Sequence, residues 1–201
     1  MRSTYLPNER QTIVTGNDWP VLYRFVASID EGFQKRLSCA LHDTLGKDLM
    51  EAFIGKPEIE LARFEALDRM EDTLSRWSQR LCSESPAISL EVNNFSGLPP
   101  QTIFARLADT SPLKKLLAQF RKLDMYLTGN DMPPIQSKGR FTINLSHRVP
   151  WHFFDELLYK TGKMEFHDTV VINAIYLQRM KDGDWHAVRT FNLHPATIEI
   201  L

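Results

Sequence analysis

The order in which the apolar period changes along the chain constrains its fold more than any single motif. Residues 21–29 (VLYRFVASI) are dense in β-branched and aromatic side chains and read as a buried strand. Asp30 then stands at an N-cap position, and Phe33, Leu37, Ala40, Leu41 and Leu45 recur at helical spacing as far as Gly46, a plausible stop. Gly55 and Pro57 punctuate a loop before a strand over residues 58–64. Asp68 with Glu71 three positions on forms a capping-box pattern, and Met70, Leu74, Trp77 and Leu81 follow on one helix face. Ile88, Leu90 and Val92 alternate with Ser89 and Glu91, which predicts another strand.

The second half runs similarly. A turn-rich stretch over residues 93–100 precedes an apolar strand at 102–108. Ser111 and Pro112 suit an N-cap and first-turn proline for a helix carrying Leu113, Leu116, Leu117, Phe120 and Leu123. Residues 128–139 (TGNDMPPIQSKG) are loop by composition, 140–146 alternate as a strand, and Pro150 opens a short helix stopping near Gly162. A long apolar run at 169–180 joins through Asp182-Gly183 to 185–193, the strongest hairpin signal in the chain. With no Gly-rich phosphate loop, the pattern implies an α+β protein of two similar lobes: residues 1–19 as an N-terminal arm, and 20–201 as one bilobal domain with its seam near 94–100.

A chain of 201 residues suits one such domain. Lys plus Arg number 24 against 25 Asp plus Glu, so no long-range field gathers nucleic acid or an anionic membrane, and strong nucleic-acid binding is not expected. No run approaches the roughly 20 apolar residues of a membrane span. Cys39 and Cys82 fit neither a zinc spacing nor a secreted framework. The expectation is a cytoplasmic monomer without metal or cofactor.

Two strands are unusual. In KPEIEL (56–61) Glu58 and Glu60 share one face while Ile59 and Leu61 take the other, and in RFTINL (140–145) Thr142 and Asn144 share a face opposite Phe141, Ile143 and Leu145. Each strand reads ordinarily as half-exposed with a wet face. Side by side at a lobe junction, they would line a cleft with two carboxylates, a hydroxyl and an amide.

The order of these elements resembles the two-histidine (2H) phosphoesterase superfamily, which includes 2′-5′ RNA ligase-like proteins and cyclic phosphodiesterases. YRFVASI (23–29) resembles its opening strand, and KPEIELARF (56–64) its first signature, Lys-Pro-His-Ile-Thr-Leu followed by a small residue and Arg. FSGLPPQTIFARL (95–107) resembles the segment entering the second lobe. RFTINLSHRV (140–149) stands at the second signature, and VVINAIYLQRMKDGDWHAVRTFNL (170–193) resembles the closing hairpin. The resemblance implies a bilobal fold of two antiparallel sheets, helices outside and a central cleft. It also implies an active site of two His-x-Thr/Ser motifs, whose imidazoles act as general base and acid while the hydroxyls hold phosphate.

This chain departs from that site. Glu58 and Thr142 stand where the histidines belong, and Glu60 and Asn144 where the hydroxyl residues belong. Thr has no usable proton affinity near neutral pH. Two carboxylates oppose a phosphodiester by roughly 4 kcal/mol at about 4 Å in an intermediate dielectric. His147, counted by alternation from Asn144, falls on the other face, and His152 sits at a helix start beside Trp151 and Phe153. His42, His167, His186 and His194 show no metal spacing. Tyr23, Phe25, Phe104 and Tyr176 are candidate stacking residues as well as ordinary core, and Lys56 and Arg148 are candidate anion contacts. The basic cluster Lys114, Lys115, Arg121 and Lys122 reads as a solvated helix face.

Three functional readings follow. The first is a relative of these enzymes without phosphodiesterase or ligase turnover, whose cleft binds an unknown small molecule or nucleotide. The second is an enzyme of altered acid–base chemistry using Glu58 with Thr142 or Asn144 on a neutral, sugar-like substrate. The third is an interaction protein with a vestigial cleft.

Overall fold

The computed structural model describes residues 19–52, 56–98, 102–147 and 149–195, so the expected arm (but for Trp19) and Arg148 lie outside the described residues. Among the described residues nine strands form two antiparallel sheets, and five α-helices pack with them. In chain order these are β1 (Val21–Ala27), α1 (Glu31–Ala52), β2 (Ile59–Ala66), α2 (Glu71–Ser83), β3 (Ile88–Leu98), β4 (Thr102–Leu107), α3 (Ser111–Phe120), α4 (Lys122–Thr128), β5 (Gln136–Ser137), β6 (Thr142–His147), α5 (Trp151–Gly162), β7 (His167–Ile172), β8 (Ala174–Lys181) and β9 (Asp184–Asn192). The first sheet has the order β5-β2-β1-β8-β9, and the second β6-β4-β3-β7.

The lobes are therefore not consecutive halves. The chain crosses to the second sheet between α2 and β3, touches the first sheet again at the short β5, re-enters the second at β6 and returns at Asn173, which splits the apolar run at 169–180 between β7 and β8. The seam expected near 94–100 instead falls at the connection between β3 and β4, neighbours in one sheet. Composition misled here, because β3 continues through its Asn-rich stretch to Leu98. Asn94 adopts φ 56, its side chain accepts the Phe166 N–H at 2.7 Å, and the β3–β4 register shifts between Val92 and Phe95.

Local chemistry explains most of the other boundaries. The Asp30 carboxylate accepts the Phe33 N–H at 2.7 Å with one oxygen and the Val171 N–H at 3.0 Å with the other, capping α1 and tying it to β7. Gly46 takes φ 73 and breaks α1 where a stop was expected, after which the chain resumes a helical path to Ala52. The expected capping box does not form. Asp68 opens a single 3-10 turn and pairs with Arg179 at 3.3 Å, while Glu71 accepts the Tyr23 hydroxyl at 2.9 Å, so both carboxylates serve tertiary contacts. Asp182-Gly183 makes the hairpin turn between β8 and β9 with both φ values positive, as a type I′ turn requires.

Alternation gives the first sheet two distinct faces. Tyr23, Phe25 and Ala27 point into the core, where Phe25 packs on Phe64 (5.2 Å between centroids) and edge-on against Phe120 of α3 (4.7 Å). Arg24 and Val26 point the other way, away from α2 and α3. In the second sheet Phe95 meets Phe166, which meets Phe33 of α1, while Ile143 and Leu145 are buried.

Candidate functional site

The two unusual strands lie side by side. Glu58 and Asn144 form an antiparallel bridge, the Glu58 N–H donating to the Asn144 carbonyl at 3.1 Å and the Asn144 N–H to the Glu58 carbonyl at 2.8 Å. Carried along the same register, Glu60 falls opposite Thr142. The two sheets therefore meet at the residues expected to be counterparts.

Both strands also break alternation at equivalent places. The β1–β2 register passes over Leu61, and the β4–β6 register passes over Leu145, each the third residue after Glu58 and Thr142 respectively. The bulge in β2 brings Arg63, opposite Arg24, onto the face that carries Glu60.

The carboxylates are not presented bare. Arg24 grips Glu58 with a fork of two hydrogen bonds, each 2.8 Å, and reaches Glu60 at 3.3 Å; its Nε donates to Gln178 at 2.8 Å. Arg63 makes a second fork on Glu60, with both bonds at 2.7 Å, and the Lys138 ammonium stands 3.2 Å from the same carboxylate. The Arg24 guanidinium lies 4.3 Å over the Trp185 ring and that of Arg63 5.6 Å from it. Among the described residues three cations thus face two carboxylates, so the two acids do not by themselves make the junction repel an anionic ligand.

Burial of the Glu60 side chain, 1% exposed, would by itself raise its pKa. The Arg63 hydrogen bond, the Lys138 charge and the Arg63 charge outweigh that and hold the carboxyl below its ordinary value. On the second strand the Thr142 hydroxyl donates to the Asn144 side-chain carbonyl at 3.1 Å. The Glu58 carboxylate is thus engaged by Arg24, and the Thr142 hydroxyl by Asn144, on adjacent strands.

The other candidates separate by face. Tyr23 is fully buried on the opposite side of β1, stacked on Phe64 at 5.5 Å, and its hydroxyl pKa is raised by burial and by the bond to Glu71. It is a core residue and not a contact of this site, as is Phe25. Tyr176, opposite Val26, and Phe104, opposite Asn144, lie on the site's face, the first half-buried and the second buried. Lys56 is exposed and lines a separate pocket of about 420 Å³ against α1, with Lys35, Met50 and Leu145. Among the described residues no group of three His, Cys, Asp or Glu side chains converges as a metal site. No described helix is long and apolar enough to cross a membrane.

Sequence reasoning missed Arg24, Arg63, Lys138 and Trp185 as site residues. A signal existed for Arg24: it is the one charge within an otherwise apolar strand, and a buried charge needs a partner.

No family model and no curated protein matches the chain by sequence. Solved structures do match by fold. Escherichia coli LigT complexed with ATP superimposes with a TM-score of 0.58 at 12% identity, covering 88% of this chain and 99% of LigT. A structure described as a phosphoesterase gives 0.61 at 12% identity, over 87% and 99%. TT0787 of Thermus thermophilus gives 0.51 at 13% identity, again over 87% and 99%. The chain therefore has the LigT-like bilobal α+β fold, the architecture that its resemblance to the 2H phosphoesterases implied.

Proposed function

We propose that this protein binds a nucleotide or similar small molecule in the cleft at the β2–β6 junction without phosphodiester turnover. The observation that carries the reading is the Arg24 fork on Glu58, at the position of the first motif histidine. A carboxylate held by two guanidinium hydrogen bonds is stabilised in its charged form and is a poor acid at neutral pH. The second position holds a hydroxyl. General acid–base catalysis across the cleft therefore lacks both partners, and the same fork disfavours Glu58 as an acid toward a neutral sugar.

Binding is a separate matter. The excess positive charge of the Arg24, Arg63 and Lys138 group suits a phosphate, and half-buried Trp185 and Tyr176 offer aromatic surface on the same face. Because LigT of the same fold is known in complexes with ATP, NADP+ and 3′-AMP, adenine nucleotides are the first probes. The expected result is saturable quenching of tryptophan fluorescence by one of them, lost in Trp185→Phe, with no hydrolysis of a 2′,3′-cyclic nucleotide and no cleavage of a 2′-5′-linked dinucleotide. Turnover of either substrate that disappears in Glu58→Gln would overturn the non-catalytic reading.

A further inference from the structure

A second concavity lies between α3 and the segment running from β5 to β6. Lys114, Leu117, Ala118 and Arg121 recur at spacings of three and four, so they form one stripe along α3 and just past its end. That stripe faces Ile135, Ser137, Lys138, Gly139 and Phe141 across a pocket of about 320 Å³. The lining holds three cations and no acidic residue.

The nearby carboxylates are already engaged. Glu60 meets Lys138 from the cleft side but is also held by Arg63 and Arg24. Asp109, whose pKa is lowered first by its bond to the Ser111 hydroxyl, feels the charge of Lys114 but is spent capping the start of α3. Lys114 and Arg121 make no ion pair with a described residue. Lys114, Arg121 and Lys138 are all exposed, so solvent screens their mutual repulsion, and an anion entering the concavity meets the three together.

We propose that this pocket binds a small phosphate monoester. Its phosphoryl group, a compact dianion with three acceptor oxygens, would sit among Lys114, Arg121 and Lys138, and its organic part against Leu117, Ile135 and Phe141. A phosphate drawing on Lys138 competes only for one of several contacts to Glu60, so the pocket fills without dismantling the cleft.

The test is calorimetric titration of the full chain with phenyl phosphate, with benzoate as the monoanionic control at equal ionic strength. Phenyl phosphate saturates one site, and benzoate binds more weakly. Lys114→Ala with Arg121→Ala weakens phenyl phosphate about tenfold or more. Lys115→Ala with Lys122→Ala, which removes the same charge from the same helical region but outside this pocket, leaves the affinity unchanged. Absence of saturation in the millimolar range, equal loss in both double variants, or benzoate binding as tightly as phenyl phosphate would each overturn the proposal. The readout does not involve Trp185, so its failure and that of the cleft reading are distinguishable.

Discussion

Arg24→Met tests the ion cluster directly, because it keeps most of the aliphatic stem and removes only the guanidinium. Arg24 is 6% exposed, and the substitution deletes two hydrogen bonds to Glu58, one to Glu60 and one to Gln178. Removing one partner of a buried ion pair costs about 3–5 kcal/mol when the other charge is stranded. Here Glu60 keeps Arg63 and Lys138, and the Glu58 side chain retains 16% exposure, so the loss belongs at or below the lower end, about 2–3 kcal/mol. With a urea m-value of about 3 kcal/mol/M for a domain of this size, the unfolding midpoint falls by about 0.7–1 M. A double-mutant cycle with Glu58→Gln then isolates the pairwise part, expected at about 1 kcal/mol or more. A coupling of less than about 0.3 kcal/mol, within the additivity of unconnected sites, would refute the claim that this fork organises the junction.

Other consequences are simpler to measure. Glu60 has a lowered folded pKa, so its contribution is fully present above its unfolded value near 4.5 and is lost as pH falls through the lower folded value; Glu60→Gln should flatten the acid limb of stability against pH. Burial pushes the Cys82 thiol up to about 12, whereas Cys39 is exposed, so a thiol reagent should modify one cysteine in the native protein and two after unfolding, with Cys39→Ser abolishing the native reaction. Gly183→Ala places a Cβ at φ +89 with no atom within 4 Å, so its cost is backbone strain alone, about 1–2 kcal/mol by thermal unfolding.

Periodicity exposed the elements whose determinants are local. The Asp30 cap and the Asp182-Gly183 turn follow from neighbours a few residues apart, whereas the faces of β2 and β6 expected to be wet are covered, Glu60 and Asn144 both being buried. Topology did not follow in the same way. Nothing local to residues 169–180 states that the run changes sheets at Asn173, where the backbone carbonyl accepts from Leu193 and the side chain accepts from Ser28 at 2.9 Å. Asp68 and Glu71 show the opposite error: a local motif was present, but Arg179 and Tyr23, more than 45 positions away along the chain, took the carboxylates.

The junction shows why residues at motif positions cannot be judged by their own charge. Glu58 and Glu60, taken alone, would repel a phosphate. Yet a carboxylate of 1% exposure is tolerable only where cations enclose it, so a buried acidic pair implies basic partners drawn from other strands. Those partners come from β1, from β2 beyond its bulge and from the residue after β5, and among the described residues they outnumber the two acids. Carboxylates held by guanidinium hydrogen bonds and flanked by further cations leave a positively charged surface at the motif positions. Catalysis needs a group whose protonation changes during the reaction, whereas recognition of an anion needs only fixed charge. Fixed charge is what this arrangement supplies, which is the physical basis for proposing the junction as a binding site.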